Sequence, residues 1–308
     1  MISTSVCIAT YRRSGELERL LESLTRQVEA PAFEVIVVDN DPQESARPTV
    51  EKFASMLAIT YCREEIAGVA AVRNRAVGAS RGAYLAFVDD DEWARPDWLA
   101  TLHRVMAETQ ADGVFGAIHN QFDPAVPQHI RACGFFDAAL LTDRSEIPWW
   151  GTRTGNAYIR RSALPDAAAP FDLQYGLTGG EDTHMFKCMQ DRGARLVWSA
   201  EAVVDSFHPP ARANLRWVLK RALRYGGTGA EVEWLGLPLQ KRVRRGLRSA
   251  TTAMKEFCGA AIGWGTDKTQ ATRRLITAAM AIGRLGRLLG YRVQIYRRPG
   301  PARNMLKG

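Results

Sequence analysis

The chain has 308 residues, of which 46% are hydrophobic and 24% are charged, and this composition is typical of a globular protein. No segment reaches the roughly 20 apolar residues that a transmembrane helix needs, so we expect no membrane span. Residues 1–13 carry no basic residue ahead of their short apolar run, which predicts a first β-strand and not a signal peptide.

Charge is unevenly distributed along the chain. Residues 211–308 contain 21 Lys and Arg residues against 4 Asp and Glu residues, a net charge of +17, whereas residues 1–210 have a net charge of −9. The five cysteines include no CxxC pair and no spacing typical of a zinc site. We therefore expect a cytoplasmic protein with reduced thiols, whose acidic body carries a strongly basic tail.

Residues 1–120 alternate apolar runs with segments of helical spacing. The predicted strands cover residues 4–9, 33–38, 59–62, 83–88 and 113–118. Leu17, Leu20, Leu21 and Leu24 are spaced as on one face of a helix, and Ser14 is expected to cap that helix. Because the strand runs are continuously apolar, they indicate a mainly parallel sheet covered on both faces, and thus an α/β domain.

Residues 121–225 are predicted to complete the same domain. Segment 120–148 is irregular, residues 156–160 have the pattern of a strand, and the glycine pair Gly179-Gly180 precedes a helix. Two short strands are expected at 195–198 and 202–207. Residues 226–308 are predicted to form a basic amphipathic helical tail.

Two acidic segments follow predicted strands. Asp39-Asn40-Asp41 comes after the second strand, and Asp89-Asp90-Asp91 ends the run YLAFVDDDEW after the fourth. In a parallel sheet both segments lie at the same edge, where ligands bind. A turn would account for one such residue, but three adjacent aspartates repel one another. A divalent cation, Mg²⁺ or Mn²⁺, held together with phosphate oxygens, would relieve that repulsion.

Six runs occur in an order that resembles the inverting glycosyltransferases of family 2. They are SVCIATYRR, VIVVDND, GVAAVRNRAVGASRG, YLAFVDDDEW, TGNAYIRR and GGED. The resemblance covers residues 4–225, and the bacterial exopolysaccharide glucosyltransferases of the succinoglycan type look most similar. It implies the GT-A fold, a nucleotide-sugar-binding α/β domain with residues 1–120 as the donor half and residues 121–225 as the acceptor and catalytic half.

The resemblance implies a donor site at the predicted sheet edge, with a UDP-sugar as the leading donor. By position, Asp39 resembles the acidic residue that contacts the nucleoside, and Thr10 and Tyr11 would line the same pocket. Arg73 and Asn74 fall in the segment near the donor, and the Arg73 guanidinium suits a diphosphate. On the residues alone, Arg73 is equally compatible with a solvated helix position.

The metal ligands implied by the resemblance are Asp91 and Asp89, the outer positions of a DxD motif. Asp91 is expected to contact the metal directly, and Asp90 to face the ribose. His208, which follows the last predicted strand, is a further candidate ligand for the metal. The alternative for His208 is a local hydrogen bond with no part in metal binding.

The acceptor half contains the expected catalytic base. An inverting transfer needs one carboxylate to remove the proton of the attacking hydroxyl. Asp182 of the GGED motif resembles that base, and Glu181 is the alternative. Trp149 and Trp150 are assigned to stacking on the acceptor sugar, although tryptophans near a loop also cover cores. Asn156 is placed on the acceptor side as well.

The tail allows three interpretations. Apolar residues from Leu275 to Leu289 recur at helical spacing among arginines, as in a helix that lies on an anionic membrane surface. This predicts a peripheral enzyme on the inner face of the cell membrane, acting on a glycan or lipid-linked glycan acceptor. The alternatives are an extension packed on the body or another subunit, and a non-enzymatic basic module on an α/β body. Nucleic acid is disfavoured as a partner because no recognisable binding motif is present.

Two other enzyme classes fit the chain less well. A phosphatase of the haloacid dehalogenase kind would carry DxDx[TV] at the first strand, where this chain has Cys7-Ile8-Ala9-Thr10. A sugar-nucleotide pyrophosphorylase would carry a glycine-rich first loop, and residues 9–13 contain no glycine.

Overall fold

The computed structural model describes residues 2–137 and 141–292. Within them the strands are β1 (Thr4–Thr10), β2 (Phe33–Asp39), β3 (Ile59–Arg63), β4 (Tyr84–Asp89), β5 (Glu92–Ala94), β6 (Gly113–Phe122), β7 (Asn156–Arg160) and β8 (Leu196–His208). The helices are α1 (Ser14–Thr25), α2 (Arg47–Phe53), α3 (Val69–Ala79), α4 (Trp98–Thr109), α5 (Gln128–Arg131), α6 (Glu181–Asp191), α7 (Leu215–Glu233), α8 (Leu239–Gly263) and α9 (Lys268–Leu288). Residues 293–308 of the predicted tail lie outside the described residues.

One sheet of order β3-β2-β1-β4-β7-β6-β8-β5 forms the centre of the protein. β3, β2, β1 and β4 are parallel, β7 is antiparallel to both β4 and β6, and β6 is parallel to β8. β5 follows β4 closely along the chain but pairs with β8 at the end of the order, so the sheet curls. The predicted mainly parallel α/β architecture is confirmed.

Helices cover both faces of the sheet, as the continuous apolar strands predicted. Val6 and Ile8 of β1 belong to a core cluster with α1, α2 and α4 on one face. Cys7, between them, belongs to the cluster with α3 and α6 on the other face. This arrangement leaves the carboxyl ends of the parallel strands as the open edge of the sheet.

Two local predictions are wrong. Ser14 does not cap α1, because its hydroxyl donates to the carbonyl of Ser45 at 2.8 Å. The two short strands expected at 195–198 and 202–207 form one strand, β8, whose pairing with β6 shifts register between Gly116 and Ala117. The irregularity interrupts the ladder without ending the strand.

The basic tail consists of helices that pack on one another, and α7 continues through the expected boundary at residue 226. α7 and α9 approach very closely at two glycines. A Cβ atom on Gly226 would lie 1.9 Å from the carbonyl oxygen of Met280, and a Cβ atom on Gly283 would lie 1.9 Å from that of Leu223. Among the described residues, no helix is long and apolar enough to cross a membrane.

The close contact of α7 and α9 predicts that larger side chains at these glycines destabilise the tail. Gly226→Ala and Gly283→Ala should each lower the free energy of unfolding by about 1–3 kcal/mol, because the helices must separate. Gly229→Ala is the matched control in α7, since its Cβ meets nothing within 4 Å and alanine is the better helix former. Urea unfolding gives the free energy of unfolding of each variant. Equal stability of all three variants would contradict the close contact of α7 and α9.

Candidate active site

The acidic segments predicted to share a sheet edge do lie together. Asp39 ends β2 and Asp89 ends β4, and in the register of the sheet they pair with Thr10 and Ala9 of β1. The carboxyl ends of parallel strands are the usual ligand site of an open α/β sheet. The candidate site is therefore the edge at which β1, β2 and β4 end.

Two arginines that the sequence analysis did not single out neutralise the aspartate run. Arg13, directly after β1, places Nη1 2.7 Å from Asp90 Oδ1 and 3.0 Å from Asp91 Oδ2. Arg212, in the loop between β8 and α7, places Nη1 2.6 Å from Asp91 Oδ2. Arg13 belongs to the quoted run SVCIATYRR, whereas nothing in the sequence around Arg212 indicated its position. Cations from two distant segments thus offset the repulsion among the aspartates.

The carboxyl groups of the run differ in accessibility. Asp90 is buried and accepts a hydrogen bond from Thr10 Oγ1 at 2.8 Å, and burial raises its pKa to about 6. Glu92 is also buried and accepts a hydrogen bond from Asp89 N at 3.3 Å, and burial raises the pKa of Glu92 well above its ordinary value. The side chains of Asp89 and Asp91 are 45% and 27% exposed. The two outer aspartates are therefore the more accessible carboxylates of the run.

The residues expected around the nucleoside are not equally accessible. Asp39 is fully buried, and its carboxylate accepts hydrogen bonds from Asp41 N at 2.8 Å, Ala46 N at 2.9 Å and the Tyr61 hydroxyl at 3.2 Å. The predicted direct contact of Asp39 with the nucleoside does not fit this geometry, because Asp39 instead shapes the loop after β2. Tyr11 is 47% exposed and lies at the end of β1.

Arg73 connects the aspartate run to Glu181 of the GGED motif, the alternative base. Its Nη2 lies 3.1 Å from Asp89 Oδ1, and its Nη1 donates to Glu181 Oε1. The Arg73 side chain is only 10% exposed. The sequence placed Arg73 against a diphosphate, whereas the structure holds its guanidinium between two carboxylates that come from opposite halves of the domain.

Asn74, the neighbour of Arg73, has a structural role. Its Nδ2 donates to the carbonyl of Phe171 at 2.7 Å, and its Oδ1 accepts a hydrogen bond from Phe171 N at 2.9 Å. Both polar groups of the amide are therefore used within the protein, and the predicted donor-binding role of Asn74 is not supported. The pair of bonds attaches α3 to the segment that leads to Gly179 and Gly180.

The two carboxylates of the GGED motif have different environments at the start of α6. Glu181 is buried and pairs with Arg73, and burial together with the charge of Asp182 raises the pKa of Glu181 to about 7. The Asp182 side chain is more open, and its Oδ1 accepts a hydrogen bond from Thr183 N at 2.7 Å. A base must reach the acceptor hydroxyl, so accessibility favours Asp182 over Glu181.

The first tail helix completes this part of the site. Gly180 has φ of 98°, and a Cβ on it would lie 3.1 Å from Thr228 Cβ of α7. Arg224, one turn earlier on α7, is near enough for its charge to lower the pKa of Glu181 against the effect of burial. The GGED motif is thus packed directly against the tail, which sequence reasoning had treated as a separate segment.

Asn156 does not lie on an acceptor surface, which corrects the sequence-based assignment. It is 1% exposed and its Oδ1 accepts a hydrogen bond from Trp98 Nε1 at 2.9 Å. Its Nδ2 donates to the carbonyls of Ala117 and Ala202, both at 2.9 Å. Asn156 therefore joins the start of β7 to α4, β6 and β8 inside the core.

The two adjacent tryptophans differ from each other. Trp149 is partly buried and packs against the core cluster that contains Phe186, and its backbone N–H donates to Gln190 Oε1 at 3.0 Å. Trp149 therefore covers the core, the alternative that the sequence left open. Trp150 is 67% exposed, and of the two it is the side chain available for stacking on a ligand.

His208 lies close to the aspartate run and is neutral. Its Nε2 is 2.8 Å from Asn120 Oδ1, and its ring packs against Phe122 and Phe136. Burial lowers its pKa to about 4, and only the charge of Asp91 opposes that shift appreciably. Because Asn120 Oδ1 accepts the bond, Nε2 carries the hydrogen and Nδ1 keeps its lone pair. Both alternatives for His208 thus remain compatible with its position.

A metal at this edge would need ligands beyond the protein. In residues 2–137 and 141–292, no three His, Cys, Asp or Glu side chains form a cluster suited to a metal ion. Mg²⁺ typically uses one or two carboxylates together with substrate phosphates, so Asp89 and Asp91 fit such a site only when a phosphate is present. In this structure Arg13 and Arg212 both form ion pairs with Asp91.

Comparison with known proteins agrees with this fold. Residues 5–166, more than half of the chain, match the family described as Glycosyl transferase family 2. The chain belongs to that family, and it is a glycosyltransferase with the GT-A type of fold. The alternative of a non-enzymatic basic module is therefore wrong.

Particular relatives include a succinoglycan biosynthesis protein and a glucosyltransferase. The chain is 33% identical over 302 residues to the succinoglycan biosynthesis protein ExoM of Rhizobium meliloti, a match that covers 94% of this chain and 93% of ExoM. It is 34% identical over 259 residues to the validoxylamine A glucosyltransferase of Streptomyces hygroscopicus subsp. limoneus, covering 71% of this chain and 56% of the relative.

Two solved structures share the fold at low sequence identity. Mannosyltransferase PcManGT from Pyrobaculum calidifontis, in complex with GDP-Man and Mn²⁺, has a TM-score of 0.58 and 20% identity, covering 91% of this chain and 86% of that one. S. aureus TarS 1-349 in complex with UDP-GlcNAc has a TM-score of 0.56 and 17% identity, covering 90% of each chain.

A stability measurement tests whether Asn156 acts in the core or on the acceptor side. Asn156→Ala should lower the free energy of unfolding by at least about 2 kcal/mol, because Trp98 Nε1 and two carbonyls lose their partner in the core. Trp150→Ala should change the free energy of unfolding by less than about 0.5 kcal/mol, as is usual for substitutions at exposed positions. Urea unfolding checks both variants, and an Asn156→Ala protein of unchanged stability would restore the acceptor assignment.

Proposed function

We propose that the protein is a metal-dependent inverting glycosyltransferase. It transfers a hexose from a nucleotide-diphosphate donor, with UDP-hexose as the leading candidate, to a glycan or lipid-linked glycan in polysaccharide biosynthesis. The observation that carries the proposal is the contact of Arg73 with both Asp89 and Glu181, which brings a donor-side carboxylate and the GGED motif into one site.

The donor assignment has two supports. The open edge beside Tyr11, Asp89 and Asp91 is the usual place for a nucleotide in such a sheet. Proteins of the same fold are known in complex with UDP-GlcNAc and with GDP-Man and Mn²⁺. The similarity to ExoM favours a donor used in exopolysaccharide synthesis.

Asp91 and Asp89 are the residues proposed to hold Mg²⁺ or Mn²⁺, with His208 as a third candidate. When bound, such an ion supplies positive charge that stabilises the departing diphosphate. Arg13 and Arg212 lie on Asp91 in this structure and would contact the same diphosphate once released from the carboxylate. Guanidinium groups suit phosphate oxygens because they donate two parallel hydrogen bonds.

Asp182 is proposed as the base. It would accept the proton of the acceptor hydroxyl while the hydroxyl oxygen attacks the anomeric carbon from the face opposite the diphosphate. The bond from the anomeric carbon to the diphosphate then breaks, and the product has inverted configuration. Glu181 and Arg73 hold the start of α6 in place, which fixes Asp182 relative to the donor.

The acceptor and the location are proposed from the exposed Trp150 and from the charge of the tail. Trp150 is exposed and is the proposed stacking residue for an acceptor sugar. The basic tail favours an anionic membrane surface, so we place the enzyme in the cytoplasm as a peripheral protein of the inner face of the cell membrane. A lipid-linked glycan would be presented at that surface.

Donor binding is tested by thermal unfolding with nucleotide sugars. UDP-glucose with Mn²⁺ should raise Tm, because a ligand at about 100 times its Kd stabilises the folded state by about 2.7 kcal/mol, and EDTA should reduce the gain. In Asp91→Ala the metal-dependent part of the rise in Tm should vanish. Metal-free UDP binding should persist, because Arg212 loses its carboxylate partner and Arg13 keeps only Asp90.

Asp97→Ala is the matched control for that substitution, since Asp97 is exposed and forms no ion pair within the described residues. An undiminished effect of Mn²⁺ on Asp91→Ala would show that Asp91 does not hold the metal. Absence of stabilisation by every nucleotide sugar tried, with and without metal, would contradict the proposed function as a whole.

The two GGED carboxylates should respond differently to neutral replacement. Asp182→Asn should lower kcat by about 10²–10⁴, or roughly 3–5.5 kcal/mol, with little change in donor binding. Glu181→Gln should instead lower the free energy of unfolding, by up to about 3–5 kcal/mol, because buried Arg73 loses one partner. UDP release with a lipid-linked oligosaccharide extract as acceptor, and urea unfolding, give the two readouts.

The opposite pattern would identify Glu181 as the base. In that case Glu181→Gln would be folded, stable and inactive, and Asp182→Asn would retain turnover. Donor-induced stabilisation, measured on both variants, shows whether lost turnover reflects lost donor binding.

A further inference from the structure

The outermost tail helix is α8, and its position differs from the sequence-based expectation. The apolar face predicted around residues 275–289 belongs to α9, where Ile276 and Ala279 are buried against α5 and α7. α8 packs on α9, and only Gly246, Ser249 and Ala260 of its 25 residues are buried. Met280 and Leu289 of the predicted face are 39% and 78% exposed, but α8 carries more exposed large apolar side chains than α9 and is the more extensive apolar surface of the described tail.

The outward side of α8 carries a continuous apolar stripe. At 100° per residue, most of its large exposed apolar side chains, together with Trp264 directly after the helix, fall within an arc of about 100°, the width of an apolar face that normally packs against something. Ile262 is 84% exposed and lies about 60° outside this arc. The stripe consists of Leu239, Val243, Leu247, Met254, Phe257 and Trp264, which are 70%, 39%, 63%, 67%, 58% and 37% exposed. Trp264 has an edge contact with the ring of His129 at a centroid distance of 6.2 Å, and the other five side chains of the stripe are open to solvent.

Unpaired basic residues lie along one border of this stripe. Lys241, Arg244, Arg248 and Lys255 are exposed, and none of them forms an ion pair within the described residues. The basic residues that point toward the body behave differently, as Arg245 pairs with Glu233 at 2.5 Å. The stripe and the free cations together form what we call the α8 face.

We propose that the α8 face docks on an anionic membrane surface, with α8 lying in the plane of the interface. This inference deepens the proposed function, since it names the surface by which the peripheral enzyme is held. An interfacial helix needs an apolar face for the acyl boundary and cations for the headgroups, and the α8 face supplies both. At 1.5 Å per residue α8 is about 37 Å long, enough for several headgroup contacts.

A second copy of the chain fits this face less well. A two-fold contact between α8 helices would place the same unpaired cations of both copies along the borders of one interface. No acidic residue of the α8 face would offset them, because the one acidic residue of α8, Glu256, is paired with Arg274 of α9 at 3.8 Å. An anionic surface supplies the missing negative charge.

Docking through α8 would place the catalytic motif at a defined distance from the membrane. α8 packs on α9, α9 packs on α7 through Gly226 and Gly283, and Thr228 of α7 contacts Gly180 beside the proposed base. The proposed acceptor, attached to a lipid, would then be presented to the site from one direction.

Co-sedimentation of the full-length protein with vesicles tests the proposal. The protein should bind vesicles of phosphatidylcholine mixed with phosphatidylglycerol, bind phosphatidylcholine alone weakly, and be released by salt. Point substitutions are used because removal of α8 and α9 would expose the close-packed face of α7. Met254→Glu with Phe257→Glu, and Arg244→Glu with Arg248→Glu, should each reduce partitioning at least about tenfold.

Controls on the body carry the same two kinds of substitution, each as a single change. Met56→Glu places a charge on an apolar side chain that is 58% exposed, like that of Phe257, and Arg75→Glu reverses an exposed cation of α3. Both controls should bind vesicles as the unaltered protein does. All variants should keep the stabilisation by UDP-glucose and Mn²⁺, which shows that they fold and that the donor site is intact.

Three results would overturn the inference. They are absence of vesicle binding by the unaltered protein, unchanged binding by both α8 double variants, and a change from dimer to monomer in the α8 variants without vesicle binding. The last result would assign the face to a second copy. Vesicle binding that depends on α8, without any donor-induced stabilisation, would instead leave the docking surface standing and contradict the proposed enzymatic function.

Discussion

The buried guanidinium of Arg73 is the interaction on which the site depends. A cation that is only 10% exposed needs carboxylate partners, and Arg73 takes one from the end of β4 and one from the start of α6. Glu181 lies 108 residues beyond Arg73, so this pair brings together two parts of the chain that share no local structure. Arg73 therefore fixes the position of Asp89 directly. Through Glu181 it also fixes the position of Asp182, the next residue along the chain.

Much of the donor half could be predicted from sequence because parallel buried strands require continuous apolar runs, and their ends mark the ligand edge. The aspartates after β4 were recognisable for that reason. Partners that are distant along the chain could not be recognised from the sequence. Arg212, for example, pairs with Asp91 from 121 residues away. Asn74 and Asn156 were misjudged because an amide looks the same in a sequence whether it binds a ligand or satisfies buried backbone groups.

The tail illustrates a second limit of sequence patterns. α8 and α9 both alternate apolar residues with arginines, so periodicity alone does not show which helix is buried. The deciding signal is small residues, since Gly226 and Gly283 permit the backbones of α7 and α9 to touch. α8 has no comparable contact with α7 and remains on the outside, where its larger apolar side chains are exposed.

The long ladder between β6 and β8 has a consequence for how such an enzyme diversifies. The two strands pair from Gly113 with Leu196 to Phe122 with His208, in the same sheet that carries the donor edge. A shared sheet leaves no hinge between the donor half and the acceptor half. New acceptor preferences must then arise by changing the irregular segments that connect these strands, such as the one around Trp150. Insertions there would leave the edge formed by β1, β2 and β4 in place, so one scaffold could serve several acceptors.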